Sequence, residues 1–343
     1  MTATVDTSPA ASPPVRPRPL MRIKDLQTYF RVEGGVAKAV DGVSIDVYPD
    51  ETLGLVGESG SGKSVTALST IRLIPQPPGY IAGGQVEFQG RDLLALDYRE
   101  LRQIRGREIG MIFQEPMTAL NPVFTIGMQV METARRHLRL SRSEARDAAV
   151  AMLRQVGIPD AARRLTDYPH QFSGGMRQRV MIAIALICNP TLLIADEPTT
   201  ALDVTTQAQI LELMRELKSR RAGGAVILIT HDLAVVAETC QRVVVMYGGK
   251  VQEVGTVEQI FSQPRHPYTQ GLLASLPARE GARHGRLQAI RGNVPSILEL
   301  PAGCKFCTRC DQVLPRCEAE EPPLYDLGHG HLVRCHLHKD QAP

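Results

Sequence analysis

Apolar and polar residues follow two different periods along this chain. Residues 22–30 and 36–47 alternate between the two kinds as half-buried strands do, and shorter apolar runs predict buried strands. These runs cover 51–56, 85–88, 109–113, 192–195, 225–230 and 241–246. Helical spacing covers 65–74, much of 125–158, 174–187, 204–218 and 233–238. Strands that alternate with helices predict an α/β fold in which helices cover a mostly parallel sheet.

The length of the chain predicts more than one structural unit. At 343 residues it exceeds the usual size of one domain, so we expect a large unit, 21–265, and a smaller C-terminal extension, 266–343. A helical insert at about 115–175 would form a subdomain of the large unit. Residues 1–20 are rich in Pro, Ser, Thr and Ala and lack the apolar stretch of a secretion signal, which predicts a disordered tail.

The composition excludes several classes of function. The formal net charge is only +3, and no basic run is interleaved with aromatic residues, so nucleic acid is not an expected partner. No stretch approaches the roughly eighteen apolar residues of a membrane span. We therefore expect a cytosolic protein that contacts any membrane through a partner.

A glycine-rich segment, Gly57–Ser64, separates a predicted strand from a predicted helix. It matches the phosphate-binding loop G-x-x-x-x-G-K-[ST]. Glycines let consecutive backbone N–H groups point at phosphate oxygens, and the N-terminus of the next helix favours the same anion. Lys63 would contact the β- and γ-phosphates, and the Ser64 hydroxyl would bind Mg²⁺. The residues predicted to bind the nucleotide are Gly57, Glu58, Ser59, Gly60, Ser61, Gly62, Lys63 and Ser64.

Two carboxylates end the apolar run at 192–195. Asp196, at the tip of the predicted strand, is placed to hold Mg²⁺ directly or through water. Glu197, one residue later, would polarise the water that attacks the γ-phosphate. A solvated acidic turn is the alternative, and the phosphate loop in the same chain argues against it.

Ser173, Gly174 and Gly175 precede a predicted helix and offer a second set of free backbone N–H groups. Together with the phosphate loop, Ala195-Asp196-Glu197-Pro198-Thr199, Ala201-Leu202-Asp203 and His231, they resemble the nucleotide-binding subunit of an ABC transporter. The resemblance covers roughly residues 21–265. It implies the fold of a P-loop ATPase, with an antiparallel β subdomain and a helical subdomain beside the mostly parallel sheet, and it implies ATP and Mg²⁺ as ligands.

The resemblance also assigns further roles. Gln114 occupies the position of the glutamine that senses Mg²⁺ and the γ-phosphate, and His231 that of the histidine that contacts the γ-phosphate. Asp203 matches the aspartate at the interface between two nucleotide-binding subunits. Phe30 matches the aromatic residue that stacks on adenine, with Tyr29 as the alternative, because neighbouring strand residues face opposite ways.

The family signature is usually Leu-Ser-Gly-Gly-Gln, whereas this chain has Phe172 at its start and Met176 at its end. Methionine cannot supply the polar contacts of glutamine. Each signature in this family serves the ATP of the other subunit, so the resemblance implies a second, non-identical ATPase subunit that tolerates methionine. The glutamate, lysine and histidine are all present, which predicts that this chain's own phosphate side is competent.

A narrower resemblance concerns the dipeptide and oligopeptide importer ATPases. It rests on Tyr168–Arg179, Gln114–Pro122 and the tetrapeptide His266-Pro267-Tyr268-Thr269, which a cysteine-containing tail follows. It implies two membrane permease subunits, an extracytoplasmic solute-binding protein, and a position at the cytoplasmic face of the cell membrane. Related branches import nickel or other small solutes, and a soluble non-transport ABC ATPase is the alternative from a different class. The transported solute and the peptide length cannot be read from this chain.

Five of the seven cysteines lie in the last forty residues. Cys304, Cys310, Cys317 and Cys335 match the tail cysteines of the peptide-importer branch, and the resemblance implies that they hold a [4Fe–4S] cluster. Soft thiolates suit such a cluster. Cys307 adds a tight Cys-x-x-Cys-x-x-Cys spacing, so it could replace a ligand or stay free. A zinc site is the alternative, in which His336 or His338 could take part.

Overall fold

The computed structural model describes residues 18–199, 204–219, 222–276 and 290–341. The strands in these ranges are β1 Met21–Val32, β2 Gly35–Val47, β3 Thr52–Val56, β4 Gly79–Phe88, β5 Arg91–Asp92, β6 Ile109–Ile112, β7 Leu192–Asp196, β8 Ala225–Ile229, β9 Arg242–Tyr247, β10 Lys250–Thr256, β11 Tyr325–Asp326 and β12 Leu332–Val333. The helices are α1 Lys63–Thr70, α2 Tyr98–Ile104, α3 Pro116–Ala119, α4 Ile126–Leu138, α5 Arg142–Gln155, α6 Ala161–Arg164, α7 Gly174–Leu186, α8 Val204–Ser219, α9 Leu233–Thr239, α10 Val257–Ser262, α11 Pro267–Ala274 and α12 Arg316–Ala319. Short 3₁₀ helices cover Pro169–Gln171, Cys307–Arg309 and His336–Gln341.

The larger sheet has the strand order β11-β12-β10-β9-β3-β8-β7-β6. Its part from β9 to β6 is parallel, and β3, β7 and β8 are buried along their whole length. Such continuous apolar strands are stable only where helices cover both faces of the sheet, as the alternating pattern predicted. The carboxyl ends of β3, β7 and β8 meet at one edge, and ligands of open α/β sheets bind at such an edge.

The smaller sheet has the order β2-β1-β4-β5 and is antiparallel throughout. β1 carries register irregularities in both of its pairings, which change the face on which its later side chains lie. At its end Phe30 pairs with Gly79 of β4 and Ala37 of β2. The predicted antiparallel subdomain is confirmed, although β4 begins six residues before the predicted run at 85–88.

The helical subdomain is built on well-capped helices. The side chain of Thr125 accepts a hydrogen bond from the backbone of α4, and Ser141 forms a capping box with Glu144 at the start of α5. Apolar faces of α4, α5 and α7 share one core. The predicted helix 65–74 is shorter in the structure, because α1 ends at Thr70 and Arg72 takes a left-handed conformation with φ of 54°.

The C-terminal extension continues the larger sheet instead of standing apart from it. β12 pairs antiparallel with β10, where Glu253 lies opposite Val333, and β11 pairs with β12. No pattern at the level of sequence indicated these strands, because two-residue strands are too short to show a period. The predicted α/β fold is present, whereas the predicted domain boundary at 265 and 266 stays a prediction.

Candidate nucleotide-binding site

A cavity of about 630 Å³ lies at the carboxyl ends of the parallel strands. Phe30, Gln114 and Glu197 line it together with residues of the phosphate loop. The structure therefore brings together Phe30 and Glu197, which are 167 positions apart in the chain, and with them a large part of the predicted site.

The phosphate loop owes its shape to glycines at positions that exclude a side chain. Gly57 and Gly62 have φ of 145° and 100°, in the region that only glycine adopts freely. A Cβ at Gly57 would lie 2.2 Å from the Met246 carbonyl oxygen, and one at Gly62 would lie 2.4 Å from that of Ala39. The backbone therefore passes so close to its neighbours that any larger residue would displace the loop.

Lys63 is buried and is held by the loop itself. Its Nζ donates hydrogen bonds to the carbonyl oxygens of Gly57 and Glu58 at 2.7 and 2.9 Å, and to Ser61 Oγ at 3.2 Å. Burial lowers the pKa of Lys63, and the neighbouring carboxylates, Glu197 foremost, act in the opposite direction. The ammonium group thus lies beside the cavity, hydrogen-bonded to loop oxygens that a phosphate oxygen could replace.

Asp196 and Ser64 are directly connected. Ser64 Oγ donates to Asp196 Oδ1 at 3.0 Å, and Asp196 is buried at the end of β7. Burial raises the pKa of Asp196, and the charge of Glu197 acts in the same direction. A hydroxyl and a carboxylate at this separation are oxygen ligands of the kind that Mg²⁺ prefers.

Glu197 takes a backbone conformation that is unusual for its residue type. Its φ is 47°, and its N–H donates to the Ile229 carbonyl oxygen at 2.9 Å, which holds the turn against β8. Its Oε1 lies 3.4 Å from His231 Nδ1, and the His231 side chain is largely exposed. A strained residue beside a phosphate loop is typical of functional sites. The structure thus joins the predicted base and the predicted histidine.

Phe30 and Tyr29 differ in position as the alternation of strand residues requires. Phe30 lines the cavity. Tyr29 is turned away, with its Oη donating to Asp41 Oδ1 at 2.7 Å and its ring meeting Tyr80 edge to face. Of the two aromatic residues, only Phe30 is available to a ligand in this cavity.

The signature residues do not line this cavity. Ser173 caps α7 by accepting a hydrogen bond from the Met176 N–H, and nothing lies within 4 Å of the space where Gly174 would carry a Cβ. Phe172 is buried beneath the Arg164 guanidinium, and Met176 packs on the same apolar core. The two departures from the usual signature are therefore apolar residues that serve packing. Asp203 lies outside the residues that the structure describes.

Similar proteins agree with this geometry. Residues 40–200 match the ABC transporter family, and residues 252–317 match the oligopeptide/dipeptide transporter C-terminal region. A putative peptide import ATP-binding protein of Brucella melitensis is 54% identical over 93% of this chain and 97% of the relative. The chain belongs to the ABC transporter ATP-binding proteins. The resemblance stated on the motifs is thereby confirmed.

Further relatives of this ABC family chain carry similar names. The oligopeptide transport ATP-binding protein OppD of Bacillus subtilis is 48% identical over 96% of this chain and 92% of its own length. The dipeptide transport ATP-binding protein DppD of the same organism is 49% identical over 94% of this chain and 96% of its own length. A solved dimeric ATP-binding cassette bound to ADP and Pi superposes with a TM-score of 0.63, at 29% identity, over 69% of this chain and 98% of that one. The predicted P-loop ATPase fold is therefore confirmed.

The motifs did not reveal that the C-terminal extension also reaches this ABC ATPase site. Val294, Pro295, Ile297 and Leu300 line the same cavity as Phe30. Tyr268 contacts the phosphate loop: its Oη accepts a hydrogen bond from the Glu58 N–H at 2.7 Å. Of the residues that make these contacts, only Tyr268 belonged to a recognised motif, His266-Pro267-Tyr268-Thr269. That motif indicated a branch of the family and did not predict a contact with the phosphate loop.

The tail cysteines gather near one another. Cys304, Cys307, Cys317 and Cys335 are buried, Cys310 is half-buried, and all are free thiols. The Cys304 N–H donates to the Cys317 carbonyl oxygen at 2.8 Å, which joins the two halves of the tail. The pKa of the Cys304 thiol is raised to about 12 and that of Cys335 to about 11, mainly by burial and in addition by the charges of neighbouring cysteines.

The types of donor atom in the tail suit a metal ion or cluster, but the positions of the side chains fit one less well. Backbone N–H groups point at sulfur, as that of Gln312 does at Cys310 Sγ and that of Leu314 at Cys317 Sγ, both at 3.4 Å. Such bonds stabilise thiolates that bind metals. Within the described ranges, however, no group of three or more His, Cys, Asp or Glu side chains is arranged to hold a metal ion. The predicted cluster and its zinc alternative therefore stay predictions.

One further observation concerns membranes. In the ranges for which the structure is described, no helix combines the length and the apolar character that a transmembrane span requires.

Proposed function

We propose that this chain is the ATP-hydrolysing subunit of an ABC importer for dipeptides or oligopeptides. The observation that carries the proposal is the cavity that unites the phosphate loop with Glu197 and Gln114 in a chain half identical to peptide import ATP-binding proteins. Such a subunit works with membrane permeases and a solute-binding protein, and associates with the membrane peripherally. We place it at the cytoplasmic face, where ATP is available.

The phosphate loop would bind ATP with its backbone N–H groups. Lys63 would leave the carbonyl oxygens of Gly57 and Glu58 and bind the β- and γ-phosphates. Ser64 and Asp196, which already share a hydrogen bond, would hold Mg²⁺ together with Gln114. Protonation of Asp196 would weaken its binding of Mg²⁺. Because the pKa of Asp196 is raised, this loss should begin at a higher pH than it would for an exposed aspartate.

Hydrolysis would proceed at Glu197. Its carboxylate would accept a proton from the attacking water while the bond between the γ-phosphorus and the bridging oxygen breaks, and the products are ADP and inorganic phosphate. His231, 3.4 Å from Glu197, would contact the γ-phosphate. The left-handed backbone of Glu197 supports this role, because it aims the side chain into the cavity from the end of β7.

The adenine base would stack on Phe30 and contact the apolar wall formed by Val294, Ile297 and Leu300. Stacking of a base on an aromatic side chain contributes about 1–3 kcal/mol. The wall supports the proposal because it lines the same cavity as Phe30 and carries no charged group that would require pairing.

The signature would act on the nucleotide of a second subunit. Its Ser173 and Gly174 are exposed and lie outside this chain's own cavity, and a similar cassette has been solved as a dimer with ADP and Pi. We propose that the second subunit is not identical to this one, because Met176 replaces the usual polar glutamine. Asp203 would lie at the same interface.

Permeases would bind the helical subdomain beside Gln114. A groove of about 590 Å³ is lined by Phe124, Met128 and Met131 and edged by arginines. Phe124 and Met128 are exposed by 44% and 52%. Large apolar side chains at the surface are typical of protein interfaces.

For the tail we propose a [4Fe–4S] cluster held by Cys304, Cys310, Cys317 and Cys335. In this proposal Cys307 is a fifth thiol that does not bind the cluster. The convergence of the thiols and the N–H groups directed at sulfur support it. The cluster would tie together a tail that has few apolar residues of its own. Iron and acid-labile sulfide in purified protein would support the cluster, and zinc without sulfide would support the alternative.

The test is uptake of labelled dipeptides and oligopeptides, with nickel in parallel, in cells that carry the wild-type chain or Glu197→Gln. We expect peptide uptake to be lost in Glu197→Gln and retained in the control Glu238→Gln, which removes an exposed carboxylate from α9. Intact peptide uptake combined with loss of nickel uptake would refute the peptide assignment and leave the ATPase assignment in place.

A further inference from the structure

Arg309 connects the cysteine tail to the phosphate loop. It lies between Cys307 and Cys310, and its side chain is only 5% exposed. Its Nη1 and Nη2 donate to Glu58 Oε2 and Oε1 at 2.6 and 3.1 Å. Its Nε donates to the Arg291 carbonyl oxygen at 2.9 Å. Such a two-pronged, charge-assisted contact fixes both partners in orientation as well as in distance.

Glu58 is held at all three of its polar groups. The carboxylate accepts from Arg309, and the backbone N–H donates to Tyr268 Oη at 2.7 Å. The carbonyl oxygen accepts from Lys63 Nζ at 2.9 Å. Two of these three partners belong to the C-terminal extension, and the third is the lysine expected to bind phosphate. The first variable residue of the phosphate loop is thus positioned from outside the loop.

Aromatic rings lie around the guanidinium of Arg309. The Arg309 guanidinium carbon lies 5.8 Å from the ring centre of Tyr247 and 5.9 Å from that of Phe306, and Tyr268 packs on both rings. Because the Arg309 side chain is almost entirely buried, the ion pair is strengthened, and loss of the Glu58 carboxylate would leave a buried charge without a partner. The hydrogen bond to Glu58 accordingly raises the pKa of Arg309.

We propose that Arg309 is a positioning residue for ATP binding, which holds Glu58 so that the phosphate loop is preorganised. The inference rests on the proposed nucleotide site. Loop flexibility would otherwise have to be lost when ATP binds, and preorganisation removes that cost. Any change that reorganises the cysteine tail would then alter ATP affinity at a site that the thiols do not touch.

A purely structural role is the rival explanation, in which the ion pair only anchors the tail. The two explanations differ in what the pair changes. An anchor would affect the thermal unfolding midpoint and leave the ATP affinity of the folded protein as it is. A positioning residue would change ATP affinity in protein that is fully folded at the temperature of the assay.

The experiment measures the Kd for Mg-ATP by calorimetry, the KM and kcat for ATP, and thermal unfolding without nucleotide, all on the full chain. The variants are Arg309→Lys, which keeps the charge but loses the two-pronged contact, Glu58→Gln, and the double variant. Arg291→Gln is the matched control, because Arg291 pairs with Asp311 at the surface, where the side chains are 81% and 66% exposed.

We expect each single variant to weaken ATP binding about tenfold, equivalent to about 1.4 kcal/mol, and to raise KM more than it lowers kcat. The double variant should be no weaker than the worse single one, because both remove the same contact. The control should bind as the wild type does. Wild-type affinity in folded Arg309→Lys, or additive effects in the double variant, would overturn the inference. A wild-type chain that does not bind ATP would instead refute the proposed function.

Discussion

The phosphate loop and the cysteine tail are both short segments with an unusual composition, yet they form their sites in different ways. The loop consists of eight consecutive residues. It would bind phosphate mainly through backbone N–H groups, the positions of which depend on Gly57 and Gly62. The tail spreads its thiols from Cys304 to Cys335 over several short elements and a return strand. A site made of consecutive backbone groups is encoded locally, whereas a site made of side chains depends on how distant segments pack.

The two regions are nevertheless in contact. Arg309 of the tail binds Glu58 of the loop, and Tyr268 binds the same residue through its backbone. The local site is therefore supported by the long-range one. The predictions below separate what each region contributes.

The largest effect is expected from Gly62→Ala. The new Cβ would meet the Ala39 carbonyl oxygen at 2.4 Å, and the left-handed backbone alone costs about 1–2 kcal/mol. We expect ATP affinity to fall at least about a hundredfold, the combined effect of strain and displacement of the loop, which calorimetry would measure. Gly328→Ala is the control, since its φ is 87° and nothing lies within 4 Å. Equal affinity in the two variants would show that the loop tolerates displacement.

The next effect concerns the iron and sulfide content of the tail, with a smaller consequence for ATP binding. Cys317→Ser should abolish the iron and sulfide of the purified protein, because oxygen is a poor substitute for thiolate on iron. Cys307→Ser should retain both. Equal loss in the two variants would assign Cys307 to the ligand set, and zinc retained in Cys307→Ser without sulfide would replace the cluster with a zinc site.

The smallest effect concerns the acid stability of the extension. Burial lowers the pKa of His266 to about 4, so the unfolded chain binds a proton that the folded chain does not between pH 6.5 and 4. Stability is therefore lost as pH falls through this window, by at most about 3 kcal/mol. His266→Asn keeps an acceptor for the Tyr268 N–H, a bond that spans 3.0 Å in the wild type.

Denaturant unfolding at pH 7 and 4.5 would measure this difference. The variant should lose less stability than the wild type between the two values. The negative charge of Glu253 limits the size of the effect, because it acts to raise the pKa of His266 against burial. Hydrogen bonds from His331 and from the backbone outweigh burial and hold the pKa of Glu253 itself below its ordinary value, so Glu253 adds an acid-dependent loss of stability that the wild type and the variant share. An identical loss in wild type and variant would show that other groups cause it.

Much of the fold was predictable because it follows from the spacing of apolar residues. The runs at 192–195 and 225–230 are strands in the structure, and the helical spacing after 204 is a helix. The end of α1 was not predicted, because Arg72 gives no compositional signal for its left-handed conformation. β12 was also missed, since two residues cannot show a period.

The sequence alone determined the phosphate loop, the carboxylates at the end of β7 and the ABC family. The loop and the carboxylates are each made of residues that are close together in the chain, and the family follows from the order of several such short motifs. Only the tertiary structure decided that Phe30 and not Tyr29 faces the cavity, that Val294 and Leu300 form its apolar wall, and that Arg309 holds Glu58. The physical reason is distance along the chain. A contact between residues 251 positions apart exists only because the chain has packed, and no local pattern records it.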